Sequence, residues 1–245
     1  MPEDEEYIRS VQMGLMSPLS RSHGQATPRE PWIFSETAQA AFLKINKLRY
    51  RLLPYLYSTA YETHNRGIPM MRALLLEFPQ DRNVRTIGTE YMLGEAVLVA
   101  PVFDQQEHAV YLPKGSWIDL EREARLDGGW IVREKRIGEI PLFLRENRGL
   151  FQLAEAPMHI ADENFREITF VMNLTGRLDQ DYFDDGVAGH IHAEVHDVVV
   201  KVDVWDVPLK DLVIYCAEPV RQVLVNGKDW YVESHEHSFL AYQGV

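Results

Sequence analysis

The chain reads as mainly β with its helices gathered at the N-terminal end, and three observations predict this. Apolar residues at helical spacing stop near Gly67; beyond Pro69 the pattern changes to short apolar or alternating runs; and those runs are separated by Pro, Gly and Asn-Gly turn signals. With 245 residues, 46% of them hydrophobic and 11% aromatic, the chain is globular rather than disordered and long enough for one or two domains, two being the expectation.

Residues 3 to 15 open on four consecutive acids, which suit the positive end of a helix dipole, and then place Ile8, Val11 and Leu15 on one face. A short amphipathic helix is predicted there. The stretch "SPLSRSHGQATPREPW", Ser17 to Trp32, separates it from a second helix, for which Ser35 is a fitting cap. Phe42, Ile45, Leu48, Leu52, Leu56 and Tyr57 follow at helical spacing until Gly67 supplies a stop, and Pro54 should kink that long helix. "MGLMSPL", just before the histidine of this stretch, reads as a short buried strand.

"MMRALLLEF" and "AVLVAPVF" are apolar runs of the kind buried strands show, with "TIGTEYMLG" between them as a single helical turn. "AVYLPKGSWIDL" predicts strand, turn at Pro113-Lys114-Gly115, strand, and "IPLFLREN" and "GLFQLAE" add two more to a first β-domain. After an ambiguous "MHIADENFR" come "REITFVMNL", "VHDVVVKVDVWD" and "LVIYCAE". Val198, Val200, Val202 and Val204 share one face, and "VLVNGKDWYV" carries the Asn226-Gly227 hairpin signal. Helices first and then two antiparallel β-domains, as sandwiches, is the result. Two helices alone cannot enclose a core, so they read as part of a larger helical or α/β layer.

A formal net charge of -12 would repel a phosphate backbone, and no Lys/Arg run gathers the basic residues, so nucleic acid is excluded as a partner. Cys216 is the single cysteine and reads as a buried thiol. The start "MPEDEEY" is acidic where a signal peptide would be basic, and no apolar run is long enough to span a bilayer. A soluble, cytoplasmic chain is expected. No phosphate-cradling glycine loop, dinucleotide fingerprint, Cys pairing or nucleophile elbow occurs, so no cofactor is expected.

His23, two residues after Arg21 and directly before Gly24, could recognise hydroxyls or carboxylates at the end of a strand, or be a plain loop histidine. His190, His192 and His196 fall on one strand face and invite a metal reading. Yet four residues of strand separate His192 and His196 by about 13 Å, too far for one ion. No metal is expected. Asp184 and Asp185 beside Gly186 read as a turn before they read as a calcium or acid/base pair, and Trp117, Trp130 and Trp205 as core residues before a sugar-stacking platform.

"YIRSVQMGLMSPLSRSHG" with "PREPWIFSE", then "KLRYRLLPYLYSTAYETHNRGIPMMRALLLEFPQD", "EYMLGEAVLVAPVF" and "YLPKGSWIDL" together resemble the C-terminal portion of glycoside hydrolase family 31, the α-glucosidases and α-xylosidases. The resemblance runs from about Glu5 to Arg148 and is looser past Asn164, where "DYFDDG" is similar to an acidic turn of the family's distal sandwich. It implies the end of a (β/α)8 barrel, last strand and helices, over residues 1–67. A proximal β-sandwich over 68–160 and a distal one over 161–245 complete the implied order.

By that resemblance His23 is a sugar ligand next to the scissile bond and Arg21 orients the loop. A retaining glycosidase needs two carboxyl groups about 5 to 5.5 Å apart. The family carries both as aspartates on earlier barrel strands, in motifs like W-x-D-M-N-E and W-x-G-D, and neither motif is in this sequence. The implied partners are therefore an α-linked oligosaccharide or α-glycoside and the catalytic portion of the same enzyme, and the chain alone should be inactive. "GIPMMRALLLEFPQD" and "RLDGGWI" lean toward the α-xylosidases. Two other readings stay open. One is a non-catalytic carbohydrate-binding or assembly module. The other is a split enzyme with an exposed apolar face on Ile8, Val11, Leu15, Leu48 and Leu52, which would form homo-oligomers.

Overall fold

The computed structural model describes residues 2–103, 108–134, 136–161 and 165–243; part of the ambiguous 158–166 segment, residues 162–164, lies outside them. Helix α1 spans Asp4–Leu15, with Asp4, Glu5 and Glu6 in its first turn, and α2 spans Glu36–Arg51. Ser35 caps α2 as expected, its hydroxyl accepting from the Ala38 N–H at 3.2 Å. The long helix is broken rather than kinked. Pro54 has no N–H for the Tyr50 carbonyl, so α2 ends at Arg51 and α3, Leu53–Arg66, restarts with the proline in its first turn, ending at Gly67.

The first β unit is a six-stranded sheet built from β1 (Met71–Ala73), β2 (Tyr91–Leu93), β3 (Val97–Val99), β4 (His108–Asp119), β5 (Ala124–Arg133) and β6 (Leu142–Arg145) in the order β1-β2-β3-β6-β4-β5. Three local expectations give way here. Leu74–Glu77 turns helical instead of continuing the "MMRALLLEF" strand; Tyr91–Leu93 is a strand rather than a helical turn; and β4 runs through Pro113–Gly115 with a bulge instead of reversing. Strands β2, β3 and β6 are covered on both faces, which is why they are apolar without alternation. Tyr91, Leu93, Val97 and Val99 face the helices, while Met92 and Leu98 face the second cluster around Trp117 and Phe143.

The second β unit takes β7 (Arg148–Leu153), β8 (Ile168–Leu174), β9 (Arg177–Asp184), β10 (Val187–His196), β11 (Val199–Trp205), β12 (Leu209–Cys216), β13 (Gln222–Val225), β14 (Lys228–Ser234) and β15 (Phe239–Tyr242). These form one nine-stranded array in the order β7-β8-β12-β15-β14-β13-β11-β10-β9. β7, expected with the first unit, pairs with β8, and two pairings, β8 with β12 and β11 with β13, are parallel rather than antiparallel. The Asn226-Gly227 hairpin forms as predicted, with φ of 48° and 76° at its two central residues. Cys216 is half-buried against this core rather than fully enclosed.

The helices are not orphaned. Tyr7 and Ile8 of α1 pack on Phe34, Ala38 and Ala41, and Ile45, Leu52, Tyr55 and Leu56 pack on both β units. The apolar face expected to be exposed is therefore covered: Ile8, Leu15 and Leu52 are buried, and Val11 and Leu48 pack beside them. α3 is pinned on both sides. The Tyr55 hydroxyl donates to the Leu93 carbonyl at 2.6 Å and accepts from the Ala96 N–H at 3.2 Å, while Ser58 Oγ accepts from the Phe183 N–H at 2.9 Å. No helix among the described residues is long and apolar enough to cross a membrane.

Candidate functional site

The loop between α1 and α2 is held at both ends and free in the middle. At its root, Arg49 of α2 donates Nη1 to the carbonyls of Leu15 (2.7 Å) and Ser17 (2.6 Å), and Nη2 to that of Pro18 (3.0 Å). Tyr91 donates its hydroxyl to the Met16 carbonyl at 3.0 Å, and Ser17 Oγ donates to the Gly14 carbonyl at 2.6 Å. Burial lowers the pKa of Arg49 from its ordinary value, and three carbonyl acceptors keep the cation solvated by the backbone. At the far end the Tyr7 hydroxyl donates to the Arg29 carbonyl at 3.2 Å, and the Tyr7 and Phe34 rings stack at 3.7 Å.

Between these anchors residues 21–26 are exposed, and both predicted residues stand there. Neither Arg21 nor His23 makes a side-chain hydrogen bond or ion pair with the described residues, and both are exposed, so their donors and acceptors face outward. Gly24 is required by shape, because a Cβ there would fall 2.2 Å from the Thr27 carbonyl oxygen as the chain doubles back. Leu19 (87% exposed) precedes this stretch and Trp32 (70%) follows it in the chain, both presenting apolar surface to solvent. An imidazole that donates and accepts, beside a guanidinium fork, can hydrogen-bond a polyhydroxylated ligand. The buried strand expected at "MGLMSPL" does not form: residues 13–15 finish α1, and a parallel barrel strand has no neighbour here to pair with.

The other candidates separate clearly. His190 and His192 are paired across the ladder with Asp181 and Asp179, their Nδ1 atoms at 2.7 and 2.9 Å from the carboxylates, and His196 lies 3.2 Å from Glu194. The hydrogen bond from Arg177, ahead of that from His192, holds the Asp179 carboxyl down at about 2. Among the described residues no group of three or more His, Cys, Asp or Glu is arranged to hold a metal. Asp184 and Asp185 form the β9–β10 turn, with Asp185 at φ 37°. Trp117 is core, but Trp130 and Trp205 are not: they are 62% and 52% exposed, Trp130 on the edge strand β5 and Trp205 at the end of β11. Arg49 and Tyr91 escaped the sequence reading. A signal was there for Arg49, a cation four residues after buried Ile45 and three before buried Leu52, on the helix's apolar stripe.

Comparison with known proteins bears on both halves of the chain. The family model described as the Glycosyl hydrolases family 31 TIM-barrel domain matches residues 1–59, which hold the anchored loop and Arg49. The Glycosyl hydrolase family 31 C-terminal domain matches residues 67–148. An α-xylosidase of Saccharolobus solfataricus is 39% identical over 145 residues, and the lysosomal α-glucosidase of Bos taurus 42% over 122. The match covers 58% of this chain and 20% of the α-xylosidase, and 48% of this chain and 13% of the α-glucosidase, so the chain spans a small part of these relatives. In fold it is similar to the Flavobacterium johnsoniae family 31 dextranase complexed with glucose, with a TM-score of 0.83 at 23% identity, over 98% of this chain and 36% of the dextranase.

Proposed function

Because the chain belongs to glycoside hydrolase family 31 and forms the end of the barrel followed by the β-domains, we propose that it is the C-terminal part of a retaining α-glycosidase acting on terminal α-glucosides or α-xylosides. Residues 1–67 complete the barrel, residues 68–160 and 161–245 form the proximal and distal sandwiches, and β7 lends its edge to the distal one. His23 hydrogen-bonds hydroxyls of the sugar next to the scissile bond, and Arg21 orients the loop. The observation that carries this reading is the Arg49 clamp: three carbonyls at the loop root are fixed while the polar tip stays free, in the segment matched by the barrel family model. A sugar-positioning loop needs such an arrangement, because hydrogen bonds aimed at a substrate act only when the backbone behind them is already ordered.

The catalytic carboxylates come from other strands of the barrel, so the chain alone does not turn over substrate. The test is hydrolysis of aryl α-glucoside and aryl α-xyloside by the purified chain and by a chimera that joins it to the preceding barrel of the Saccharolobus α-xylosidase. The chain should be silent and the chimera active. Turnover that survives repurification and tracks the isolated chain would overturn the assignment of the carboxylates.

A further inference from the structure

A cavity of about 540 Å³ lies between α3 and the β9–β10 hairpin, within the range of about 300 to 1,000 Å³ that small-molecule sites occupy. Alternation along β9 turns Leu178, Gln180 and Tyr182 inward. Gln180 (8% exposed) and Tyr182 (2%) both line the cavity. Gln180 donates Nε2 to the Glu95 carboxylate at 3.2 Å, which fixes its amide because a carboxylate only accepts, and its Oε1 is left with no partner among the described residues. The Tyr182 hydroxyl has none either. Each such orphan destabilises the fold unless something supplies the missing bond.

The charges around the cavity decide the chemistry of what enters. Three of the four carboxylates in its lining already have a cation: Glu62 holds Arg66 and Arg72, Glu95 holds Arg148, and Asp179 holds Arg177, while Asp181, turned to solvent, hydrogen-bonds His190. An anion would face four carboxylates, and a cation would find three of them already neutralised and the fourth, Asp181, solvated. Among the buried polar atoms of the described lining, what remains unpaired is an amide oxygen and a phenol, a set that hydroxyl groups complete because each hydroxyl both donates and accepts. The wall adds an aromatic pair, Tyr61 stacked on Phe183 at 3.7 Å, and half-exposed Trp205 stands 5.7 Å from His190 at the rim.

We propose that this cavity is a binding site for a neutral saccharide of one or two rings, held by Gln180 Oε1 and the Tyr182 hydroxyl against the Tyr61–Phe183 pair. It shares no residue with the Arg21–His23 loop and does not rest on that loop's proposed role. The test is a backbone NMR titration of the whole chain with glucose, xylose and maltose. Saturable shifts centred on Tyr61, Gln180 to Phe183 and His190 are expected. Tyr182→Phe keeps the ring and removes the hydroxyl, and should weaken binding about three- to tenfold. Ala188→Trp, at an exposed position of the lining, should block the cavity and abolish the shifts, and it serves if the tyrosine variant folds poorly. No saturable binding by any of the three sugars, shifts confined to residues 17–32, or binding indifferent to both variants would overturn the proposal.

Discussion

Glu90, the residue immediately before β2, is only 5% exposed; its Oε1 accepts from the Tyr111 N–H at 2.8 Å and its Oε2 has no partner among the described residues. Burial outweighs the Tyr111 hydrogen bond and pushes its pKa up from 4.5 to about 7. The folded chain therefore holds this proton where the unfolded chain releases it. Stability contributed by the protonated form is complete below the unfolded value and is lost as pH rises through the folded one. At 1.36 kcal/mol per unit, the destabilisation reaches about 3 kcal/mol above neutral pH, and about 2 to 3 kcal/mol of it develops between roughly pH 5 and pH 8. Glu90→Gln leaves Tyr111 an acceptor and removes the titration. Urea unfolding at both pH values gives the difference for each protein, and the variant's loss on going to the higher pH should be smaller than the wild type's by about 2 to 3 kcal/mol. Any constant cost of the substitution cancels in that comparison. Equal pH dependence in the two proteins would refute the argument that Glu90 is folded as an acid.

Two further substitutions test the anchors. Arg49→Met strips three carbonyls of their donor, so tryptic cleavage after Arg21 and Arg29 should accelerate several-fold and stability should fall by about 2 kcal/mol; unchanged cleavage would mean the loop root is held by other contacts. Tyr55→Phe removes the link between Leu93 and Ala96 through α3, and thermal unfolding should report a loss of about 1 to 2 kcal/mol, with no loss contradicting the reading of that hydroxyl as a clasp.

What the sequence made legible was local. The Ser35 cap, the Gly67 stop and the Asn226-Gly227 and Asp185-Gly186 turns each depend on a few adjacent residues, and each formed. What it hid was set by distant neighbours. Three-residue strands such as Tyr91–Leu93 exist only because β1 and β3 lie beside them, and β8 and β12 become parallel through a connection of more than thirty residues that no periodicity records. Arg21 and His23 were read as site residues by resemblance, whereas the only mark on Arg49, which fixes their loop, is its place on the apolar stripe of α2, and that does not say which carbonyls it holds. Gln180 and Tyr182 could have been read as inward-facing from the parity of "RLDQDYFD", but nothing in that pattern says their polar atoms lack partners.

The central claim is that the anchored loop delivers His23 to a sugar, and its most direct test is kinetic. In the chimera with the barrel of the Saccharolobus α-xylosidase, kcat/KM for the aryl α-glycoside that it cleaves should fall about 10- to 100-fold in His23→Ala, as expected for losing one or two hydrogen bonds to substrate hydroxyls. Full activity in that variant would contradict the account.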